Sequence, residues 1–168
     1  MIILCPGQGA QTVGMGKAWF DASPEARAVF ERADALLGNR FDAPLTQLCF
    51  QGPADRINRT DISQPAIFTT SVASWCAMQA RAQMGPVEQP LSAVAGLSLG
   101  EYTALHLAGA LSFEDGLELV TLRGRAMQDA AESPLAASGG GGGMLALIGA
   151  TDEQAQACLL YTSPSPRD

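Results

Sequence analysis

Around Ser98 the sequence changes character abruptly. An apolar run, Ala93 to Leu97, gives way to Ser98-Leu99-Gly100 and then to a helical stretch from Glu101 to Ala108. Read along the chain this is strand, sharp turn, helix. Glycines at 96 and 100 let neighbouring backbone pass close to a tightly turned serine, which few other residues would permit. A second apolar run, Ile2 to Cys5, is stopped by Pro6-Gly7. It has the composition of a strand in a sheet covered on both faces, with Gly7-Gln8-Gly9 as the loop at its end.

Helices account for most of what lies between. Ser23-Pro24 offers an N-cap and a proline at the first helical position, and Ala26, Val29, Phe30, Ala33 and Leu37 recur at helical spacing before Gly38. Gln51 to Gln64 reads as polar and irregular. Pro65 is then expected to open a buried helix reaching about Met84, through Ile67, Phe68, Val72, Trp75 and Met78. Ser112 and Asp115 have capping-box spacing and begin a helix that carries Leu117, Val120, Arg123 and Met127 to about Ala131. Ser133 to Gly143, ending in five consecutive glycines, reads as a flexible connection and a boundary. Met144 to Ile148 is expected to be a strand, and Thr151 with Gln154 opens a further helix.

Bulk properties narrow the function. With 47% hydrophobic residues the 168-residue chain has enough apolar surface for a sizeable core. A net charge of -7 offers no broad positive surface for phosphate backbones, so nucleic acid is excluded as a partner. Cys5, Cys49, Cys76 and Cys158 stand singly, without metal-ligand spacing or a disulfide framework. Reduced thiols, no metal and a cytoplasmic location are expected. The opening apolar run is too short for a signal peptide or a membrane span.

Gly96-Leu97-Ser98-Leu99-Gly100 satisfies G-x-S-x-G in the context that nucleophilic chemistry demands, strand before and helix after. The turn lifts the hydroxyl off the sheet and aims the first N–H groups of the helix, Leu99's among them, at a developing oxyanion. Any glycine-flanked serine after a strand also makes a turn, so these five residues do not decide alone. Gly7/Gly9 and Gly14/Gly16 lack the third glycine of a dinucleotide-binding loop, and the five-glycine run lacks the Lys-Ser or Lys-Thr of a phosphate loop.

Four separated motifs decide it. Pro6-Gly7-Gln8-Gly9-Ala10-Gln11, Gln64-Pro65-Ala66, Gly96 to Tyr102, and Arg123-Gly124 with Met127-Gln128 follow in the order found in malonyl-CoA:acyl carrier protein transacylases, and the chain resembles that family from residue 2 to about 157. The resemblance implies an α/β, hydrolase-like parallel-sheet domain over residues 1–132, incomplete here. It implies a Gly-rich linker at 133–143 and the start of a ferredoxin-like small subdomain at 144–157. It also implies an [acyl-carrier-protein] S-malonyltransferase of fatty acid biosynthesis. Malonyl-CoA and acyl carrier protein would be the partners, coenzyme A thioester a substrate rather than a cofactor, and the full-length protein a monomer. Ser98 would be the nucleophile, the backbone N–H groups of Gln8 and Leu99 the oxyanion hole, and Arg123 the fork that holds the free carboxylate of the malonyl group. Taken without the motif, Arg123 is an ordinary helix arginine.

The lone histidine does not complete the set. His106 lies ~10 Å from Leu99 at the rise of an α-helix, beyond the ~3 Å a general base requires, so a structural role is expected. The family's histidine belongs to a later segment, and without it no turnover is expected of these residues. Leu97 departs from the family, which usually has histidine there. A serine esterase, a polyketide-type acyltransferase and a non-catalytic module of the same fold are the competing readings. The last residues, Cys158 to Asp168, match one reading frame of a sequencing-library transposon adapter and are expected to break the preceding helix as a non-native tail.

Overall fold

The computed structural model describes residues 1–83, 91–133 and 148–162, with side chains through 157. By its internal contacts the chain divides into two compact units, Met1–Ala130 and Ala131–Asp168.

In the first unit the order is β1 (Ile2–Cys5), α1 (Lys17–Ala22), α2 (Pro24–Leu37), α3 (Leu45–Gln51), α4 (Ala54–Ile57), α5 (Thr60–Gln83), β2 (Ala93–Gly96), α6 (Leu99–Leu107) and α7 (Phe113–Ala131). Helix α2 starts and stops as its sequence dictates. Ser23 Oγ accepts from Ala26 N at 3.2 Å, Pro24 takes the first turn, and Gly38 ends it with φ 54°. Its buried stripe of Ala26, Phe30, Ala33 and Leu37 packs along α5. There Phe30 meets Phe20 and Phe50 edge-on, at centroid distances of 6.0 and 5.2 Å. On the other side of α5, Phe68 stacks on Phe113 at 5.6 Å.

Helix α5 differs from expectation. It begins at Thr60, so Pro65 lies inside it and the stretch from Gln51 to Gln64 is largely helical, through α4 and the first turn of α5. The start is fixed from elsewhere in the chain: the Gln128 side-chain oxygen on α7 accepts from Thr60 N at 2.8 Å, capping a helix end that local sequence leaves bare. Pro65 then forfeits a single backbone bond. Helices α1 and α3 were not signalled by periodicity either. By contrast, α7 begins at the anticipated box, Ser112 Oγ accepting from Asp115 N at 3.0 Å. Gly124 lets α7 come close to α5, since a Cβ there would stand 2.7 Å from the Thr60 carbonyl oxygen.

Strands β1 and β2 pair in parallel, Ile2 with Ala93 through Cys5 with Gly96. Their run-ends therefore lie side by side, and the loops after Cys5 and Gly96 leave the sheet together. The expectation of a strand covered on both faces is not met. Ile2 and Leu4 are 69% and 79% exposed, with Ala93 and Ala95 exposed on the same face, while Cys5 on the other face is buried. Helix α6 packs against both strands. The outward side chains face solvent despite being apolar.

In the second unit α8 spans Asp152–Thr162. Gln154 N donates to Thr151 Oγ1 at 3.3 Å and Thr151 N to Gln154 Oε1 at 3.0 Å, the reciprocal box read from the sequence. The expected break at Cys158 does not occur. The helix runs on to Thr162 because the first breaker beyond it is Pro164. Ile148 is a 95% exposed bend rather than a strand end. The rest of the anticipated strand from Met144, the Gly-rich linker after Ser133, and the tail after Thr162 lie outside the described residues. Cys5 and Cys49 are buried free thiols and Cys76 a half-buried one. Among the described residues no helix is long and apolar enough to cross a membrane, and no group of three or more His, Cys, Asp or Glu is placed to hold a metal.

Candidate active site

Ser98 occupies the turn between β2 and α6 with φ 56° and ψ -107°, a backbone conformation that L-residues rarely adopt. Holding it costs about 1–3 kcal/mol, and the surroundings enforce it. A Cβ on Gly96 would stand 2.1 Å from Gly100 backbone, and one on Gly100 would stand 2.4 Å from the Cys5 carbonyl oxygen. Both glycines are required by backbone crossing backbone. The turn is anchored below by Leu99, fully buried, and leaves Ser98 exposed above it.

The same turn presents donors. Gly100 N bonds Leu97 O at 3.0 Å and Glu101 N bonds Ser98 O at 3.3 Å. Leu99 is the first residue of α6, so its N–H has no carbonyl a turn earlier to bond, and the Ser98 side chain makes no cap bond. Beside it runs the loop after β1. A Cβ on Gly7 would lie 3.2 Å from the Leu97 carbonyl oxygen, which puts Gln8's loop against the serine turn.

Arg123 reaches Ser98 from α7. Its Nη2 donates to Ser98 Oγ at 2.8 Å and its Nη1 to Gln64 Oε1 at 2.8 Å, while its guanidinium lies 5.9 Å from the centre of the Tyr102 ring. Gln64, fully buried on α5, also donates from Nε2 to Met127 Sδ at 3.2 Å and to Gln8 Oε1 at 3.5 Å. Gln8 Nε2 donates to Thr60 Oγ1 at 3.2 Å. Further along the same loop, Gln11 Nε2 donates to Asn58 Oδ1 at 3.1 Å. Ser98, Gln8, Leu99 and Arg123 thus converge on one end of the sheet.

His106 does not join them. Its Nδ1 donates to the Leu111 carbonyl at 2.9 Å, and its ring meets the stacked Phe68 and Phe113 pair edge-on at 5.9 and 6.0 Å, at the end of α6 remote from Ser98. Sequence reasoning assigned no role to Gln64, Thr60 or Gln128, although two of them fall in quoted motifs. The available signal was a glutamine inside an apolar helix, because a buried amide must find partners.

Beside this strained, exposed serine at a strand-to-helix turn, faced by an arginine, stands a match over residues 2–159 to the acyl transferase domain family. The chain belongs to that family. It is 42% identical over 154 residues to malonyl CoA-acyl carrier protein transacylase of Salmonella typhimurium, covering 91% of this chain and 45% of that protein. It is 39% identical over 160 residues to the polyketide biosynthesis protein ThaF of Burkholderia thailandensis, covering 95% of this chain and 12% of that one. The solved malonyl CoA-acyl carrier protein transacylase of Clostridium perfringens superposes with a TM-score of 0.74 at 40% identity, over 97% of this chain and 46% of that one. The chain spans less than half the length of these relatives.

Proposed function

We propose that these residues form the front part of an [acyl-carrier-protein] S-malonyltransferase. Ser98 Oγ attacks the thioester carbonyl of malonyl-CoA, the C–S bond breaks to release coenzyme A, and the malonyl ester then passes to the phosphopantetheine thiol of acyl carrier protein. Coenzyme A thioester is a substrate in this reading and no cofactor takes part. The N–H groups of Gln8 and Leu99 stabilise the oxyanion of each tetrahedral intermediate, and Arg123 holds the malonyl carboxylate. The proton leaving Ser98 needs a base outside the described residues, since His106 lies near the far end of α6, seven residues beyond Leu99.

The observation that carries the reading is the Arg123 Nη2 to Ser98 Oγ bond of 2.8 Å, which sets a carboxylate-binding fork within reach of an acyl group on that serine. The uncovered sheet face at Ile2 and Leu4 supports an incomplete hydrolase-like domain over residues 1–132. A ferredoxin-like subdomain would start at 144–157, after a linker at 133–143, and 158–168 would be a non-native tail.

Incubating the full-length gene product with malonyl-CoA is expected to leave a malonyl ester on the Ser98 peptide, detected by mass. Arg123→Ala should cut malonyl transfer about a hundredfold while sparing acetyl transfer. No ester on that peptide, or equal losses for both acyl groups, defeats the proposal. The likeness to ThaF favours a polyketide-type acyltransferase as a second reading. Transfer to a polyketide carrier protein in preference to a fatty-acid carrier would select it.

A further inference from the structure

The Arg123 guanidinium is held at two nitrogens by two different partners, and only one of them is the reacting group. Nη2 rests on Ser98 Oγ; Nη1 rests on Gln64 Oε1, each at 2.8 Å. A planar fork pinned at one nitrogen has the direction of the other decided for it. Gln64 is itself fixed, being fully buried and bonded through Nε2 to Met127 Sδ and Gln8 Oε1.

The Gln8 side chain is gripped at both ends. Its Oε1 accepts from Gln64, and its Nε2 donates to Thr60 Oγ1, the residue whose N–H is capped by Gln128 of α7. The arginine and the loop that carries the Gln8 N–H therefore share one buried amide.

We propose that Gln64 is a positioning residue: it is the pivot that keeps Arg123 aimed at the acyl group and ties that aim to the Gln8 loop. This rests on the malonyltransferase reading above. A carboxylated acyl group takes Nη2 from Ser98 Oγ while Nη1 stays on Gln64, which leaves the serine lone pair free to attack. An acetyl group has nothing to offer Nη2, so the cation remains on the nucleophile. Selectivity for a carboxylated acyl group follows from the pivot as well as from the charge.

The test compares ester formation on Ser98 from malonyl-CoA and acetyl-CoA in the full-length gene product. Gln64→Met keeps the length and removes the amide. It is expected to raise KM for malonyl-CoA about tenfold and to lower the malonyl-to-acetyl ratio by a similar factor. Thr60→Val frees one end of the Gln8 side chain and reaches Arg123 only through Gln64, so it should lower kcat for both acyl groups and shift the malonyl-to-acetyl ratio by less than Gln64→Met does. Should Gln64→Met fail to fold, Gln64→Glu serves: its carboxylate competes with the substrate's for the fork, and the ratio falls again. A ratio unmoved in a folded Gln64 variant overturns the proposal, as does a Thr60→Val shift of the ratio that exceeds that of Gln64→Met. Absence of any malonyl ester on the unsubstituted protein would instead defeat the malonyltransferase reading itself.

Discussion

The helices and the sheet of the first unit are made of similarly apolar sequence but end in opposite conditions. Helices α2 and α5 bury Ala26, Phe30, Ala33, Leu37, Ala66, Phe68, Val72, Ala73 and Ala77 to 3% exposure or less. One step away, Ile2 and Leu4 of β1 stand 69% and 79% exposed. The helical layer closes a core from its own residues, whereas the sheet is covered on one side only. The proposed site lies where the two meet: Ser98 and Gln8 come from the ends of strands, Arg123 and Gln64 from packed helices. Its fixed points come from the helical side, where Gln64 is fully buried.

The largest stability effect should come from breaking the closed side. Phe30 is fully buried, its ring lying where a Cβ on Gly16 would come within 2.5 Å of it. Phe30→Ala leaves a cavity shared by α1, α2 and α3 and is expected to cost about 3–5 kcal/mol, read from urea unfolding of this chain. A loss below about 1 kcal/mol would mean that the helical layer is loosely packed and that the contrast with the sheet is false.

How much of this was legible in the sequence follows the same division. Capped, periodic helices were read correctly, as at Ser23–Gly38 and Ser112–Asp115, because each signal lies within a turn of what it specifies. The serine turn was legible because Gly96 and Gly100 report a crossing of backbones. The start of α5 was not, since its cap, Gln128, is 68 positions away from Thr60. Nor was the exposure of β1: Ile-Ile-Leu-Cys records what a strand is suited to be buried by, and coverage is a property of the rest of the fold. Gln64's role was hidden for the first reason, its partners being spread over β1's loop and α7.

A smaller effect should appear only in alkali. Cys49 is buried in the helical layer, and burial, with the Asp34 charge adding to it, pushes its thiol up from 9.0 to about 12. Between those values the unfolded chain has released this proton and the folded one has not. Stability therefore falls as pH rises through that window, and is unaffected below it. Comparing Cys49→Ala with the unsubstituted chain isolates the contribution: the stability gap between them should narrow as pH climbs above 9, the thiol's ordinary value. Parallel stability curves would show that the thiol ionises as freely inside as outside, and that the helical core admits water there.

The smallest effect is expected on the open side, and it is the one that decides what the contrast means. In this chain Leu4 touches little, so Leu4→Ser should change stability by no more than about 0.5 kcal/mol. In the full-length gene product the proposed hydrolase-like domain covers that face, and the same substitution then removes a buried leucine at a cost of roughly 2 kcal/mol. Urea midpoints of the two pairs give the comparison directly. Equal, negligible effects in both would make the outward face of β1 a true surface and remove the support that its exposure lends to an incomplete sheet; equal, large effects would show that Leu4 is already packed within these residues.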